Sequence, residues 1–163
     1  MKMTENKFEF SYEVYADISE LPEADARLLT EARRVTEQAY APYSHFHVGA
    51  AALLANGQVV TGTNQENASY PVGICAERVL LGNAATLYPG VAIQTLAISY
   101  NSESVNSDHP ISPCGMCRQA LLEYELRLKS PIRLILAGMK GEIQVVKTAR
   151  LLLPFAFTSR ELK

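Results

Sequence analysis

Cysteine is scarce in this chain. Three residues in 163 are an odd number, too few for a disulfide framework, and a reducing compartment would keep them as thiols in any case. Long apolar runs are missing too. No segment approaches the roughly 20 apolar residues that a membrane helix requires. The opening residues Met1 to Lys7 are polar and lack the apolar centre of a secretory signal, so a soluble, cytoplasmic protein is expected. Basic charge is not in excess. Fifteen Lys and Arg against 17 Asp and Glu leave a formal charge of −2, which exerts no pull on a polynucleotide, where phosphate neutralisation dominates affinity. There is also no phosphate-binding glycine loop, internal repeat, low-complexity tract or linker.

What is present is the composition of one folded domain: 48% hydrophobic and 20% charged residues. A core of ordinary size needs no covalent staples at this length. Phe8, Phe10, Tyr12 and Val14 alternate with mostly polar residues, the period of a strand, and predict an edge strand or an arm laid on a partner. From Pro22 to Pro42 the apolar positions Leu28, Ala32, Val35 and Ala39 recur at helical spacing. Val48–Leu54 and Val59–Thr63 read as two strands joined by a tight turn at Asn56-Gly57. Ala76–Leu87 predicts a helix stopped by Pro89-Gly90, and Ile93–Tyr100 a strand. A polar loop over Asn101–Ser112 follows. Met116–Leu128 predicts another helix, Ile132–Ala137 and Ile143–Val146 two further strands, and Thr148–Leu153 a short helix before Pro154. Strands alternating with helices after an initial hairpin indicate a layered α/β sheet.

Two short segments carry the chemistry: Cys75-Ala76-Glu77-Arg78 and Pro113-Cys114-Gly115-Met116-Cys117-Arg118-Gln119. Each group of cysteines sits at a predicted helix start, where free amides and the positive end of the dipole favour thiolate, the form that binds zinc. Three sulfurs on a tetrahedral ion leave one position open, the mark of a catalytic site. Three thiolates also leave the cluster negative, and a nearby cation can offset this. Arg78 and Arg118 are the candidates, with Arg78 preferred. Glu77 follows the first ligand by two residues, close enough to exchange protons with a metal-activated water without binding the metal. A redox CxxC would leave Cys75 unexplained. A closed structural zinc site would need a fourth ligand, which His45, His47 or His109 can supply. That alternative makes the chain a zinc-stabilised binding module.

A ligand, one residue, a glutamate and a later P-C-x-x-C is the known signature of zinc deaminases. The wider sequence resembles the small homotetrameric cytidine deaminases over about residues 24–162. The resembling pieces are Ala39–Leu53 (AYAPYSHFHVGAAAL), Asn64–Arg78 (NQENASYPVGICAER), Ser112–Gln119 (SPCGMCRQ) and Leu152–Phe157 (LPFAF after Leu152). The resemblance implies a three-layer α/β fold, with a mixed five-stranded sheet and helices on both faces, over residues 23–163. Residues 1–22 are then an N-terminal extension. It implies Zn2+ as cofactor, a nucleoside such as cytidine or 2′-deoxycytidine as substrate, no nucleic acid polymer or membrane as partner, and a homotetramer with shared active sites in pyrimidine salvage. By the same resemblance Asn64 and Glu66 hold ribose hydroxyls and Phe46 packs on the pyrimidine. The Ala76 amide binds the base carbonyl, and the Ser112 carbonyl faces the leaving amino group. Tyr70 and Phe157 complete the pocket of a neighbouring subunit. Three features depart from the family pattern: His47, the bulky Phe155, and the extension. RVLLGNAA after Glu77 is also similar to blasticidin-S deaminases. The Asn64–Glu66 pair, which suits a ribose, weighs against that substrate.

Overall fold

The computed structural model describes residues 3–162. Residues 3–12 belong to no helix or strand, and the first element is β1 (Glu13–Tyr15). There follow α1 (Glu23–Val35), β2 (Phe46–Leu54), β3 (Val59–Thr63), α2 (Ala76–Leu87), β4 (Ile93–Ser102), α3 (Gly115–Leu128), β5 (Arg133–Ala137) and β6 (Ile143–Val146). The strands form one mixed sheet in the order β1-β6-β5-β4-β2-β3. The β4–β5 pair is parallel and the others are antiparallel. The sheet therefore has six strands where five were expected. The sixth is the N-terminal segment, which pairs with β6 only at Glu13, Val14 and Tyr15. The alternation from Phe8 predicted a longer strand. β6 is four residues long, so it could extend that short register by one residue at most.

Two cores lie on opposite faces of the sheet. On one face Leu28, Leu29 and Ala32 of α1 cover Ala51, Ala97, Ile135 and Val145. On the other, Ala76, Leu80 and Ala84 of α2 and Leu121 and Tyr124 of α3 cover Ala50, Ala52, Leu96, Ile98 and Leu134. Burial at i, i+4 and i+8 along α2 is the apolar stripe of a helix laid on a sheet. Two glycines set how close the helices come. A Cβ on Gly49 would overlap the Ala32 carbonyl and crowd the Thr36 amide of the α1 segment. A Cβ on Gly62 would overlap the Ala76 carbonyl and the Leu80 amide of α2. The helix begun at Glu23 ends at Val35, earlier than the Pro42 boundary suggested, and its last turn tightens into a 3-10 turn over Thr36–Gln38. There the Thr36 hydroxyl donates to the Arg33 carbonyl.

The topology decides where chemistry can occur. β3 and β4 are both antiparallel to β2, so they point the same way. Helices α2 and α3 each follow one of these strands. Both helices therefore begin at the same end of the sheet, beyond the carboxyl ends of the strands, where open α/β sheets hold their ligands.

Candidate active site

Cys75 is the residue before α2 and Cys114 the residue before α3, and both have extended backbone. Their carbonyls already serve the helices: Val79 N donates to Cys75 O at 3.1 Å and Arg118 N to Cys114 O at 2.9 Å. Neither thiol caps its helix. Cys117, one turn into α3, is fully buried. The sulfur–sulfur distances are 3.8 Å for Cys75–Cys114 and 3.4 Å for Cys114–Cys117, and all three sulfurs lie within 4.8 Å of one another. A disulfide would need about 2.05 Å. Three ligands on a tetrahedral ion, each at about 2.3 Å, would stand about 3.8 Å apart. The donor set fits zinc.

The electrostatics separate Cys75 from Cys117. Cys75 is pushed down to about 6, first by a hydrogen bond from Cys117 and also by Cys114 and the Arg78 cation, against burial and the Glu77 charge. Cys117 is pushed up, first by that same contact with Cys75 and then by burial. Of these two thiols Cys75 is the more readily ionised. Arg78 contributes to this through its field. Arg118 has other partners: its guanidinium donates to the Pro113 carbonyl at 2.8 Å and the Leu152 carbonyl at 3.1 Å, tying the second cysteine loop to the C-terminal segment.

Glu77 lies in the first turn of α2 and is 5% exposed. Burial raises its carboxyl above the ordinary carboxylate range, while a hydrogen bond with Cys117 pulls the other way. It stands beside the sulfur cluster without joining it. No histidine joins the cluster among the described residues. His45 faces Glu103 and His109 lies on Tyr100.

A cleft of about 420 Å³ opens beside Cys75, lined among others by Tyr43, Asn64, Glu66, Tyr70 and Met116. Asn64 is fixed by two backbone contacts, accepting from Val48 N at 2.7 Å and donating to Phe46 O at 2.9 Å. Glu66 accepts from Tyr43 N at 2.9 Å and from the Ser44 hydroxyl. The Ser44 contact is the main reason its carboxyl lies below the usual range. Ser44 and Arg118 thus have positioning parts that their place in the quoted motifs did not specify. Phe46, Ala76, Ser112 and Phe157 do not line this cleft. The Phe46 ring stacks on Tyr100 instead, with centroids 4.8 Å apart. Ala76 is buried at the start of α2 and Ser112 is exposed ahead of α3. Tyr70 is 76% and Phe157 60% exposed, and within this chain neither ring has the covering that its size favours. His47 lies on β2, opposite Asn101. Phe155 is 97% exposed.

Three thiols gathered at paired helix starts, with a buried carboxylate alongside and an α/β/α frame behind, have the composition of a metal-dependent hydrolase site. Residues 22–129 match the cytidine and deoxycytidylate deaminase zinc-binding region. The chain is similar to a cytidine deaminase of Sporosarcina psychrophila, 37% identical over 137 residues that cover 83% of this chain and 93% of the relative. It is 41% identical to a cytidine deaminase of Mycobacterium tuberculosis over 117 residues, 69% of this chain and 84% of that one. The crystal structure of a cytidine deaminase from Burkholderia pseudomallei superposes with a TM-score of 0.70 at 37% identity, covering 84% of this chain and all of the other. The chain belongs to the cytidine and deoxycytidylate deaminase family, whose zinc-binding region it carries.

Proposed function

We propose that the protein hydrolyses cytidine, and 2′-deoxycytidine with it, to uridine or deoxyuridine and ammonia. The observation that carries this reading is the cluster of Cys75, Cys114 and Cys117 with Glu77 buried at its side. The three cysteines are the ligands for zinc, which when bound supplies a Lewis acid that activates water at neutral pH. Glu77 takes a proton from the attacking water and places it on N3 of the pyrimidine as C4 is attacked. It then takes the second proton, from the hydroxyl newly bonded to C4, and delivers it to the exocyclic nitrogen; the C4–N bond breaks, ammonia leaves and C4 becomes a carbonyl. A carboxyl raised by burial is suited to both steps, because it holds a proton in transit more readily than an exposed one. Arg78 offsets part of the charge of the sulfurs.

In this reading the Ala76 amide, at the free N-terminal end of α2, donates to the base carbonyl, and the Ser112 carbonyl accepts from the departing amino group. Phe46 packs on the pyrimidine ring. Asn64 and Glu66 hold the ribose hydroxyls. Both are held in place by backbone contacts, so the groups that meet the sugar are positioned before the nucleoside arrives. Tyr70 and Phe157 belong to the pockets of neighbouring subunits in a homotetramer. Their exposure, with that of Val72, Ile74 and Met116 near the cleft, supports a covered surface there. Residues 23–163 form the deaminase domain and residues 1–22 an extension, in a cytoplasmic enzyme of pyrimidine salvage.

The test is ammonia release by the zinc-loaded protein from cytidine, 2′-deoxycytidine and blasticidin S. Turnover of the two nucleosides and none of the antibiotic is the expected result. Zinc-replete protein that releases no ammonia from either nucleoside would refute the proposal. Sedimentation checks the assembly: a monomer at assay concentration would remove the shared pocket.

A further inference from the structure

Tyr100 ends the buried run of β4 and is fully buried despite its hydroxyl. Three groups converge on it. Its ring lies against Phe46 with 4.8 Å between centroids and 15° between planes, a stacked pair. Its hydroxyl donates to the Asn106 carbonyl at 3.0 Å. A ring nitrogen of His109 lies 3.1 Å from the same oxygen. Because the tyrosine proton is committed to Asn106, His109 is the donor in that second contact.

These partners lie on both sides of the site. Phe46 begins β2, and its carbonyl accepts from Asn64. Asn106 and His109 belong to the loop between β4 and α3, which leads through Pro110 to Ser112 and Cys114. The same loop holds the residue before Phe46, since Glu103 N donates to His45 O at 3.2 Å. The loop is anchored at its far side as well: Ser107 O accepts from Met139 N at 2.7 Å. Tyr100 thus touches both Phe46 and the loop that leads to Ser112.

We propose that Tyr100 is a positioning residue for pyrimidine binding, its ring backing Phe46 and its hydroxyl holding the loop that presents Ser112. The inference rests on the assignment of Phe46 to the pyrimidine. Tyr100 does not touch substrate; it fixes the angle of the ring that does. The stacking face that Phe46 offers the base is met about equally in ground and transition states. Loss of the support therefore shows in KM rather than kcat.

The experiment is steady-state kinetics on cytidine for zinc-loaded Phe46→Leu, Tyr100→Leu, the double variant and Tyr100→Phe, with zinc content, Tm and uridine Kd measured on each. KM and uridine Kd rise about tenfold in each single leucine variant, kcat stays within about twofold, and the double variant is no more than about twofold worse than either single one. Tyr100→Phe keeps the stack and raises KM only about threefold. Single effects that multiply in the double variant would overturn the inference and leave Phe46 on the pyrimidine. A Phe46→Leu enzyme with parental KM would remove Phe46 from the pyrimidine, and the inference with it. If Tyr100→Leu loses its fold, Tyr100→Phe and His109→Ala carry the test. A KM raised about threefold in each, with the pair non-additive, supports the inference; parental KM in both overturns it.

Discussion

The two faces of the sheet solve the same packing problem and differ in what they do with charge. On the α1 face the half-buried ions have permanent partners: Asp25 pairs with Arg133 at 2.8 Å, and Arg33 donates to the Gly138 carbonyl at 3.0 Å. On the other face two glutamates are buried, Glu77 and Glu125, and they diverge. Glu125 accepts from Ile132 N at 2.7 Å, the Thr148 hydroxyl at 2.8 Å and Ala149 N at 2.9 Å. It ties α3 to the start of β5 and to the turn at Ala149. Glu77 instead faces thiols, and burial raises its carboxyl. A buried acid with saturated partners is architecture. One beside groups that exchange protons is available for reaction.

The contrast can be broken at several points. The largest effect belongs to Glu77→Gln, which should lower kcat about 1,000-fold or more while zinc content stays parental; rates and metal analysis on one preparation check it, and retained turnover would place Glu77 with Glu125 as architecture. Next come the two close-approach glycines. Gly49→Ala and Gly62→Ala should each cost about 1–3 kcal/mol by denaturant unfolding. Only Gly62→Ala displaces the start of α2, so it alone should cut kcat/KM, by about tenfold. Equal losses of activity in both would show that the faces are not separable. Glu125→Ala leaves the buried Ile132 amide without an acceptor, while Ala149 N keeps the Ile132 carbonyl at 2.9 Å; it should cost about 2 kcal/mol, with the kcat of the remaining folded enzyme near parental. The smallest effect lies on the α1 face. The Ser99 hydroxyl is buried and has no partner among the described residues, so Ser99→Ala should raise stability by up to about 1 kcal/mol without changing KM or kcat.

The parts legible in the sequence share one property: their cause is local. β3, α2 and β6 have the bounds that periodicity and punctuation predicted. Asn56-Gly57 and Pro89-Gly90 stop the chain whatever lies around them. The cysteines were legible because helix starts and spacing alone bring the CxxC sulfurs together. Position without a local cause was not legible. The alternation from Phe8 to Val14 names a face but not a partner, and β1 forms only where β6 meets it. Glu125 looks like any helical glutamate until Thr148 and Ala149 return to it from more than 20 residues away. Tyr100 looks like the last residue of a strand. Its stack on Phe46 follows from the diagonal offset of β2 and β4, in which Val48 stands opposite Tyr100 and Phe46 opposite Ser102.

The brief β1–β6 pairing has a consequence for the solution behaviour of the molecule. Three residues are all that separate β6 from being a margin of the sheet. An enzyme shortened past Tyr15 would offer a bare row of amides and carbonyls along Ile143–Val146, an invitation for another copy to add its own strand. The leading segment therefore works as a selvedge, a finished hem that keeps the woven strands from catching on their neighbours.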